Sequence, residues 1–405
     1  MVSMLGSGMN SAAVIWYILQ ATHSEQALGT LVVLTTVPAM LMLPFTGVII
    51  DREDRRRLVM LLDAARGVVI LVVALLALAH RVQLWQLYLM NTLVAAGFWM
   101  FWPTITALIQ ELTPESAFVQ SNTLLLAGEQ VGWLLAGALV GFVYNSIGLG
   151  GVLIIDCCTY VVSFSCYLMV RKGRHVVHEP HKLADDIHAA EGAVARFFRE
   201  LHDGVRYIAH NRYILLVGTS WFLFIGAMMT QNVLTAPMSD RVLHAGAVGY
   251  GWLNMGWGVG AFASVFYTPL ALRRLGARRS IAFSLSLMAL GLCVVPRFAW
   301  IILAVAIYVV MGSARGVGGV AISSTIMEIV PKQLMGRVQN TFLFAGTALQ
   351  LVLAYVVGIV AQRVSLLMGF VIVATTYAIG ALASVLPVKT PKPAQAAGAA
   401  PAQAD

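Results

Sequence analysis

A short charged turn between two long apolar stretches constrains the fold of this chain more than any other feature. Residues 28–50 carry no charge, and residues 58–79 carry only Asp63 and Arg66 as charged side chains. A membrane-crossing helix takes roughly 20 residues, so each stretch predicts one crossing. The turn between them, residues 47–57, reads Gly-Val-Ile-Ile-Asp-Arg-Glu-Asp-Arg-Arg-Arg. Because basic loops are retained in the cytoplasm, we expect this turn to be cytoplasmic.

The composition fits an integral membrane protein. Hydrophobic residues make up 59% of the chain and charged residues 11%, whereas a soluble domain carries about 25% charged residues. Of the 26 Lys and Arg, 20 fall in one alternate set of predicted loops and the C-terminal tail, four on the other side and two within predicted crossings. This asymmetry follows the positive-inside rule. It explains the net charge of +8 and argues against nucleic acid as a partner.

The cysteines and the N-terminus add little chemistry. All four cysteines lie in apolar stretches with no disulfide or metal-binding spacing, so we expect no metal and no other cofactor. Residues 1–19 lack the basic region of a cleavable signal peptide. Because the chain begins inside an apolar stretch, we expect the natural first helix to begin a turn or two earlier.

Apolar windows predict twelve crossings, which places both termini on the same, basic side. The predicted crossings are 2–21, 27–50, 58–79, 84–108, 117–144, 149–170, 213–237, 246–271, 280–296, 298–322, 337–361 and 365–386. We therefore predict an all-α membrane protein: a six-helix bundle over 1–170, a linker over 171–212, a second six-helix bundle over 213–387 and a disordered tail over 388–405. The second part of the linker has apolar residues at helical spacing. It predicts an amphipathic helix on the inner membrane face or, equally, a helix packed against the bundle ends.

The two predicted bundles echo each other in sequence. Glu111-Leu-Thr-Pro114 recurs 217 residues later as Glu328-Ile-Val-Pro331. The basic turn has a weaker counterpart in residues 273–279. Such a repeat is typical of transporters built from two parallel halves about an axis along the membrane normal.

The turn pattern G-x3-D-R-x2-R-R-R resembles the signature loop of the major facilitator superfamily, and the likeness covers essentially the whole chain. Within the superfamily, the chain is most similar to the drug and siderophore exporters that include the enterobactin exporter and macrolide efflux proteins. The stretches that carry this narrower resemblance are Ser3-Met-Leu-Gly-Ser-Gly-Met9, Asp156-Cys-Cys-Thr-Tyr160 and Leu201-His-Asp-Gly-Val-Arg-Tyr207. It implies a monomeric secondary-active exporter of a drug, siderophore or similar amphipathic metabolite in a bacterial inner membrane. It also implies alternating access and proton antiport.

The resemblance further implies that the turn is a conformational latch made of Gly47, Asp51, Arg52, Arg55 and Arg56. Its aspartate is expected to meet the start of a helix in the other half. A carboxylate near a helix N-terminus is stabilised by roughly 0.3–1 kcal/mol, so the contact can form in one access state and break in the other. The alternative is that the arginines only anchor the topology.

Two carboxyl groups inside predicted crossings, Glu129 and Asp156, are candidates for proton coupling. A charge there costs roughly 2.5–3.5 kcal/mol on insertion scales and is functional by default. Burial disfavours the charged form of a carboxyl group, which suits a group that must gain and lose protons. The alternative for each is a structural carboxyl group satisfied by a neighbouring helix. Asp63 and Arg66, one helical turn apart, are expected to pair with each other or with the basic turn.

Aromatic, amide and charged side chains on several crossings predict a cavity for a large amphipathic or cationic ligand. The candidates are Asn10, Trp99, Trp102, Glu129, Gln231, Asn254 and Arg315. The alternative for each single residue is packing within the bundle or exposure to lipid.

Other functions remain open. A nutrient importer or a lysolipid flippase would share the same fold, and a non-transporting membrane sensor is a different class. An enzyme is disfavoured, because the sequence has neither a phosphate-binding loop nor a nucleophile–base arrangement.

Overall fold

The structure is a computed structural model that describes residues 2–114, 118–169 and 186–388. Within these ranges the chain is helical almost throughout and has no strand. Its helices are α1 Val2–Thr22, α2 Glu25–Arg52, α3 Arg55–Leu78, α4 Leu84–Leu112, α5 Phe118–Met169, α6 Asp186–His210, α7 Arg212–Thr230, α8 Asn232–Pro237, α9 Gly246–Leu275, α10 Ala277–Val294, α11 Ile301–Ile329, α12 Lys332–Arg363 and α13 Leu366–Val385. Predicted linker residues 171–185 and the predicted tail from residue 389 lie outside the described ranges.

Polar side chains set the starts of several helices. Ser24, Asp54, Asn211 and Ser365 each accept a hydrogen bond from the backbone N–H three residues later, at the starts of α2, α3, α7 and α13. Such a cap stabilises a helix by about 1 kcal/mol. The short polar loops thus separate long apolar helices with little loss of backbone hydrogen bonding.

Helix α5 contains two crossings rather than one. Its 52 residues would extend about 78 Å as a straight helix, more than twice the hydrocarbon thickness of about 30 Å. The helix breaks at Gly148, whose φ of 64° and ψ of −173° are not helical. Glycine adopts a positive φ without steric cost, so this residue separates a first arm, 118–147, from a second arm, 149–169.

Among the described residues, eleven segments are long and apolar enough to cross a membrane. One of them, Leu139–Met169, extends across the break in α5. Counting the two arms of α5 separately accounts for the twelve predicted crossings. The predicted fold class is confirmed, while the predicted domain boundaries stay a prediction.

The described helices pack in two groups. In the first, α1 and α3 pack against α5, and α2 and α3 pack against α4; in the second, α9 packs against α11, α10 against α11 and α13, and α7 against α12 and α13. The groups meet through α2 with α12 and through α5 with α9. In the sequence repeat α2 corresponds to α9, and the first arm of α5 corresponds to α12. A pseudo-twofold axis therefore exchanges the two contacts, as the internal repeat requires.

Glycines allow the two groups to approach closely. A Cβ atom added to Gly29 of α2 would lie 2.6 Å from the carbonyl oxygen of Ala354 in α12. One added to Gly141 of α5 would lie 2.7 Å from the Cα atom of Gly251 in α9. Small residues at such positions let helix backbones meet within a membrane.

Helix α6 lies against the ends of the bundle. It packs against α12, α2 and α7, and Asp203 forms an ion pair of 3.0 Å with Arg337 of α12. Its outer face exposes Phe198 and Val205 beside the exposed Arg199 and Arg206. The packing agrees with the second predicted alternative, a helix against the bundle ends. Contact of the exposed apolar side chains with a membrane surface stays a prediction.

Candidate functional site

A cavity of about 200 Å³ opens between α1, α4 and the two arms of α5. It is lined by Met4, Phe101, Trp102, Ile105, Ile109, Leu125, Glu129 and Tyr167. Glu129 is the ionisable carboxyl group in a wall that is otherwise apolar and aromatic. Of the predicted cavity residues, the structure brings Trp102 and Glu129 together here.

The carboxyl group of Glu129 lies within electrostatic range of a cation from the other half. It interacts electrostatically with Arg315 of α11. The Nε atom of Arg315 lies 3.2 Å from the sulfur of Met228 in α7. Close approach of α9 to α11 fixes this helix, since a Cβ atom on Gly312 would collide with the carbonyl oxygen of Trp257. Arg315 thus lies on a helix of the second half that packs closely against α9.

The other predicted cavity residues lie elsewhere. Asn10 is 2% exposed and donates to Asp156. Gln231 ends α7, and its Oε1 atom is buried without a hydrogen-bond partner in the described part of the chain. The Nδ2 atom of Asn254 donates to the carbonyl oxygen of Tyr250 at 2.8 Å, on the face of α9 that meets Gly137. Trp99 is half-buried on α4, outside the lining of the cavity.

The basic turn connects α3 to the ends of two other helices of the same half. Arg55 lies 3.8 Å from Glu111 and donates to the carbonyl oxygen of Ala107 at 3.2 Å, both in α4. Arg56 donates to the carbonyl oxygens of Tyr167 and Leu168 at 2.8 Å each, at the end of α5. Unpaired carbonyl groups at a helix C-terminus favour a cation.

Three predicted latch residues precede these arginines. Gly47, Asp51 and Arg52 belong to the last turns of α2. The side chains of Asp51 and Arg52 and the surroundings of Gly47 lie outside the described part of the structure. Their role as a latch stays a prediction.

The end of the molecule opposite the basic turns, here called the opposite end, is closed by an ion pair between the halves. Glu25 at the start of α2 is 0% exposed, and its Oε1 atom lies 2.5 Å from Nη1 of Arg241. Arg241 also donates to the carbonyl oxygen of His23 at 2.7 Å. Gln362 of α12 accepts a hydrogen bond from the backbone N–H of Glu25 at 2.8 Å.

The residues of this closure were missed by the sequence analysis. The available signal was Arg241 itself, one of the four basic residues on the predicted outer side. A five-residue π-helical segment, Met238–Val242, places its side chain. π-helical segments are frequent at functional sites.

Aromatic packing continues the contact between the two halves from the opposite end towards the middle of the molecule. The rings of Trp16 in α1 and Tyr250 in α9 stack with centroids 6.0 Å apart. Deeper, Nε2 of Gln350 donates to the hydroxyl of Thr36 at 2.8 Å. Contacts between the halves therefore run from the opposite end to the middle of α2.

Asp156 lies in a buried polar cluster of the first half. Its Oδ2 atom accepts a hydrogen bond of 2.8 Å from Asn10. Nearby, Arg66 forms the predicted ion pair with Asp63, which confirms that pairing. The hydroxyl of Ser163 donates to Asp63 at 2.7 Å. Among the described residues, no group of three or more His, Cys, Asp or Glu side chains is arranged to hold a metal ion.

Comparison with known proteins agrees with this architecture. The profile described as Major Facilitator Superfamily matches residues 1–352. The chain belongs to this superfamily of membrane transporters. It is therefore a multi-pass membrane protein.

Similarity to individual relatives is low. The chain is 24% identical to macrolide efflux protein A of Streptococcus pyogenes over 239 residues, which cover 58% of this chain and 55% of that protein. It thus spans about half the length of that relative. It is 21% identical over 361 residues to the uncharacterized MFS-type transporter YkuC of Bacillus subtilis, covering 87% of this chain and 82% of that protein.

Solved structures share the fold. A bacterial homologue of the iron transporter ferroportin, in an inward-facing state, superposes with a TM-score of 0.73 at 13% identity and covers 95% of this chain and 96% of that one. The nucleoside transporter NupG superposes with a TM-score of 0.70 at 14% identity, with the same coverage.

Proposed function

We propose that this transporter exports a small amphipathic organic cation by alternating access, with proton antiport as the driving force. The observation that carries the proposal is the apolar, aromatic cavity with Glu129 in its wall. An apolar surface binds the body of such a ligand, while aromatic faces and a carboxylate bind its positive charge. The partial likeness to macrolide efflux protein A supports the direction of transport and the class of cargo.

The size of the cavity limits what it holds. Pockets for drug-sized ligands measure about 300–1,000 Å³, and this one measures about 200 Å³. We therefore assign it to the cationic end of a larger molecule, whose remainder lies between the halves and towards Arg315.

The closed opposite end fits the loading step of an exporter. We propose that the basic turns face the cytoplasm of a bacterial inner membrane, as the positive-inside rule requires, with both termini on that side. Glu25 and Arg241 then close the outer side, and the cavity is loaded from within. We further propose that the protein acts as a monomer and that Gly47, Asp51 and Arg52 complete the latch at the cytoplasmic side.

Competition between the substrate cation and a proton for Glu129 would couple transport of the cargo to movement of protons. A bound cation and a proton both neutralise the same carboxylate, on which Arg315 acts only at longer range. Once a proton replaces the substrate, the cationic ligand loses its counter-charge and is released. In each transport cycle, cargo and a proton then replace each other at Glu129.

The experiment is transport into inverted vesicles with an imposed pH gradient, with ethidium and a macrolide as probes. We expect wild-type protein to accumulate them and Glu129→Gln to abolish accumulation. The matched control is Glu328→Gln, which changes an exposed carboxylate at the end of α11. Accumulation by Glu129→Gln equal to wild type contradicts the role of Glu129. Uptake in the reverse direction contradicts export, and the absence of flux with any probe favours the sensor.

A further inference from the structure

A buried charged cluster lies between α1, α3 and the second arm of α5, next to the cavity. Asp63, Arg66 and Asp156 are 0%, 3% and 0% exposed. Arg66 forms an ion pair with Asp63 and also interacts electrostatically with Asp156. The guanidinium group of Arg66, which is paired with Asp63, is thus the cation that acts on both carboxyl groups in a site that is almost inaccessible to solvent.

The charges of this cluster do not balance if both carboxyl groups are ionised. The charged groups that face Asp156 are Arg66 and Asp63 of α3. Helix α1 adds the neutral amide of Asn10, and α4 presents the uncharged ring of Phe101 to Arg66. The polar neighbours on the helix of Asp156 itself are Thr159, Cys157 and Tyr160. A buried charge without a counter-charge is strongly disfavoured, so one proton on a carboxyl group restores the balance.

The hydrogen bonds indicate which carboxyl group holds that proton. Asp63 receives donors on both oxygens, from Arg66 and from Ser163, as a carboxylate requires. On Asp156, Oδ2 accepts from Nδ2 of Asn10 at 2.8 Å, but Oδ1 has only a long contact of 3.4 Å with the hydroxyl of Thr159, whose shorter bond of 2.7 Å goes to the backbone carbonyl oxygen of Asp156. The Oδ1 atom of Asn10 is buried without a hydrogen-bond partner among the described residues. An amide carries both a donor and an acceptor. The Nδ2 atom of Asn10 can donate to the carboxylate form of Asp156. When the amide group flips by about 180°, its Oδ1 atom can accept a hydrogen bond from the carboxylic acid form. Asn10 can therefore bind either protonation state of Asp156.

A path of polar groups connects the cluster to the cavity. Ser163 donates to Asp63 and interacts with Tyr167, which lines the cavity. The guanidinium carbon of Arg66 lies 4.5 Å from the centre of the Phe101 ring, another part of the cavity wall. A change of charge in the cluster therefore acts on two residues of the wall.

We propose that Asp63, Arg66 and Asp156 form a proton-binding site, separate from Glu129, in which Asp156 holds one exchangeable proton. When Asp156 releases this proton to water in the cavity, Arg66 must serve two carboxylates and moves away from Phe101. Proton release thereby changes the wall against which the substrate packs. This role in transport rests on the proposed function, whereas the protonation of the cluster does not.

Infrared spectroscopy of the purified full-length protein tests the site directly. The carbonyl stretch of a protonated carboxyl group is measured at neutral pH in the Glu129→Gln background, so that Glu129 does not contribute. We expect the band to be present and to disappear with Asp156→Asn. Asp63→Asn should also remove it, because Asp156 then has Arg66 to itself and ionises. Arg66→Gln should raise the band roughly twofold, since both carboxyl groups are then neutral.

The pattern across the variants distinguishes proton binding from a structural role. Glu328→Gln serves as the control and should leave the band unchanged. Size-exclusion chromatography and helical circular dichroism show which variants fold, and either aspartate variant decides the question if the other does not fold. Absence of the band in the Glu129→Gln background, or its survival in a folded aspartate variant, overturns the proposal.

A transport measurement tests the coupling separately. Proteoliposomes are assayed for ethidium counterflow, which needs no proton gradient, and for accumulation driven by a pH gradient. We expect Asp156→Asn to lose accumulation while counterflow remains measurable. Gradient-driven accumulation equal to wild type overturns the coupling role. If the wild-type protein moves no ethidium, the proposed function fails, and the infrared result still decides the proton site.

Discussion

Arg56 and Arg278 make the same contact in the two halves of the molecule. Arg56 donates to the carbonyl oxygens of Tyr167 and Leu168 at the end of α5. Arg278, at the start of α10, donates to those of Ser384 and Leu386 at the end of α13. Each arginine follows the turn between the second and third crossings of its half and binds the end of the sixth. The sequence repeat is therefore preserved as a specific interaction, in which a guanidinium group satisfies carbonyl groups that a helix end leaves unpaired.

These contacts predict a loss of stability when either arginine is removed. A hydrogen bond from a charged group contributes about 1.5–3 kcal/mol, so we expect Arg56→Ala and Arg278→Ala to lower the free energy of unfolding by about that amount. The matched controls are Arg57→Ala and Arg279→Ala, which remove exposed arginines next in sequence. Thermal unfolding in detergent provides the measurement. Equal melting temperatures for the four variants would contradict the assignment.

We expect the ion pair between Glu25 and Arg241 to favour the access state in which the opposite end is closed. Arg241→Ala leaves the buried carboxylate of Glu25 without its cation. The cost lies below the value of about 3–5 kcal/mol for a fully buried pair, because the side chain of Arg241 is 40% exposed and solvent screens the interaction. We therefore expect this variant to shift the population towards an open opposite end. The shift is measured as an increased distance between spin labels at Arg81 and Phe298, two exposed positions in loops of different halves.

Control variants make this measurement decisive. The exposed cysteines Cys158 and Cys166 are replaced beforehand, together with the other two. Exchanging the charges, Glu25→Arg with Arg241→Glu, should restore part of the closed population. An unchanged distance distribution in Arg241→Ala shows that the pair does not hold this end closed.

Close contact between the halves predicts a second way to open the same end. A Cβ atom at Gly141 would meet backbone atoms of Gly251 and Ala247 at 2.7 and 2.9 Å, and backbone cannot rotate away as a side chain can. Gly141→Ala should therefore separate α5 from α9 and lengthen the distance between the same spin labels. Gly319→Ala in α11 is the control, because nothing lies within 4 Å of its Cβ position. The same distances in both variants would refute this account.

Sequence patterns predicted the helices well because length and apolar content are local properties. The predicted crossing 58–79 is observed as Arg55–Leu78, beginning after the Asp54 cap. The predicted crossing 213–237 is interrupted at Gln231, and a π-helical segment follows Pro237. That irregularity depends on tertiary packing, which periodicity does not record.

The site was less predictable, because its contacts join residues that are far apart in sequence. The pairing of Asp63 with Arg66 could be predicted, since three residues along a helix bring side chains together. The contact of Asn10 with Asp156 joins residues 146 positions apart, and nothing local in either segment indicates it. Asn10 was predicted as a cavity residue because a polar side chain in an apolar helix looks the same in both roles.

The cavity distinguishes two tryptophans that the sequence treats alike. Trp102 lines it beside Glu129, whereas Trp99, one turn earlier on α4, does not. We expect Trp102→Ala to weaken ethidium binding by about 0.5–2 kcal/mol, which corresponds to roughly a 2- to 30-fold increase in Kd. Trp99→Ala is the matched control and should leave Kd close to the wild-type value. Titration of the purified variants by ethidium fluorescence measures both, and an equal loss in the two variants would show that the cation binds elsewhere along α4.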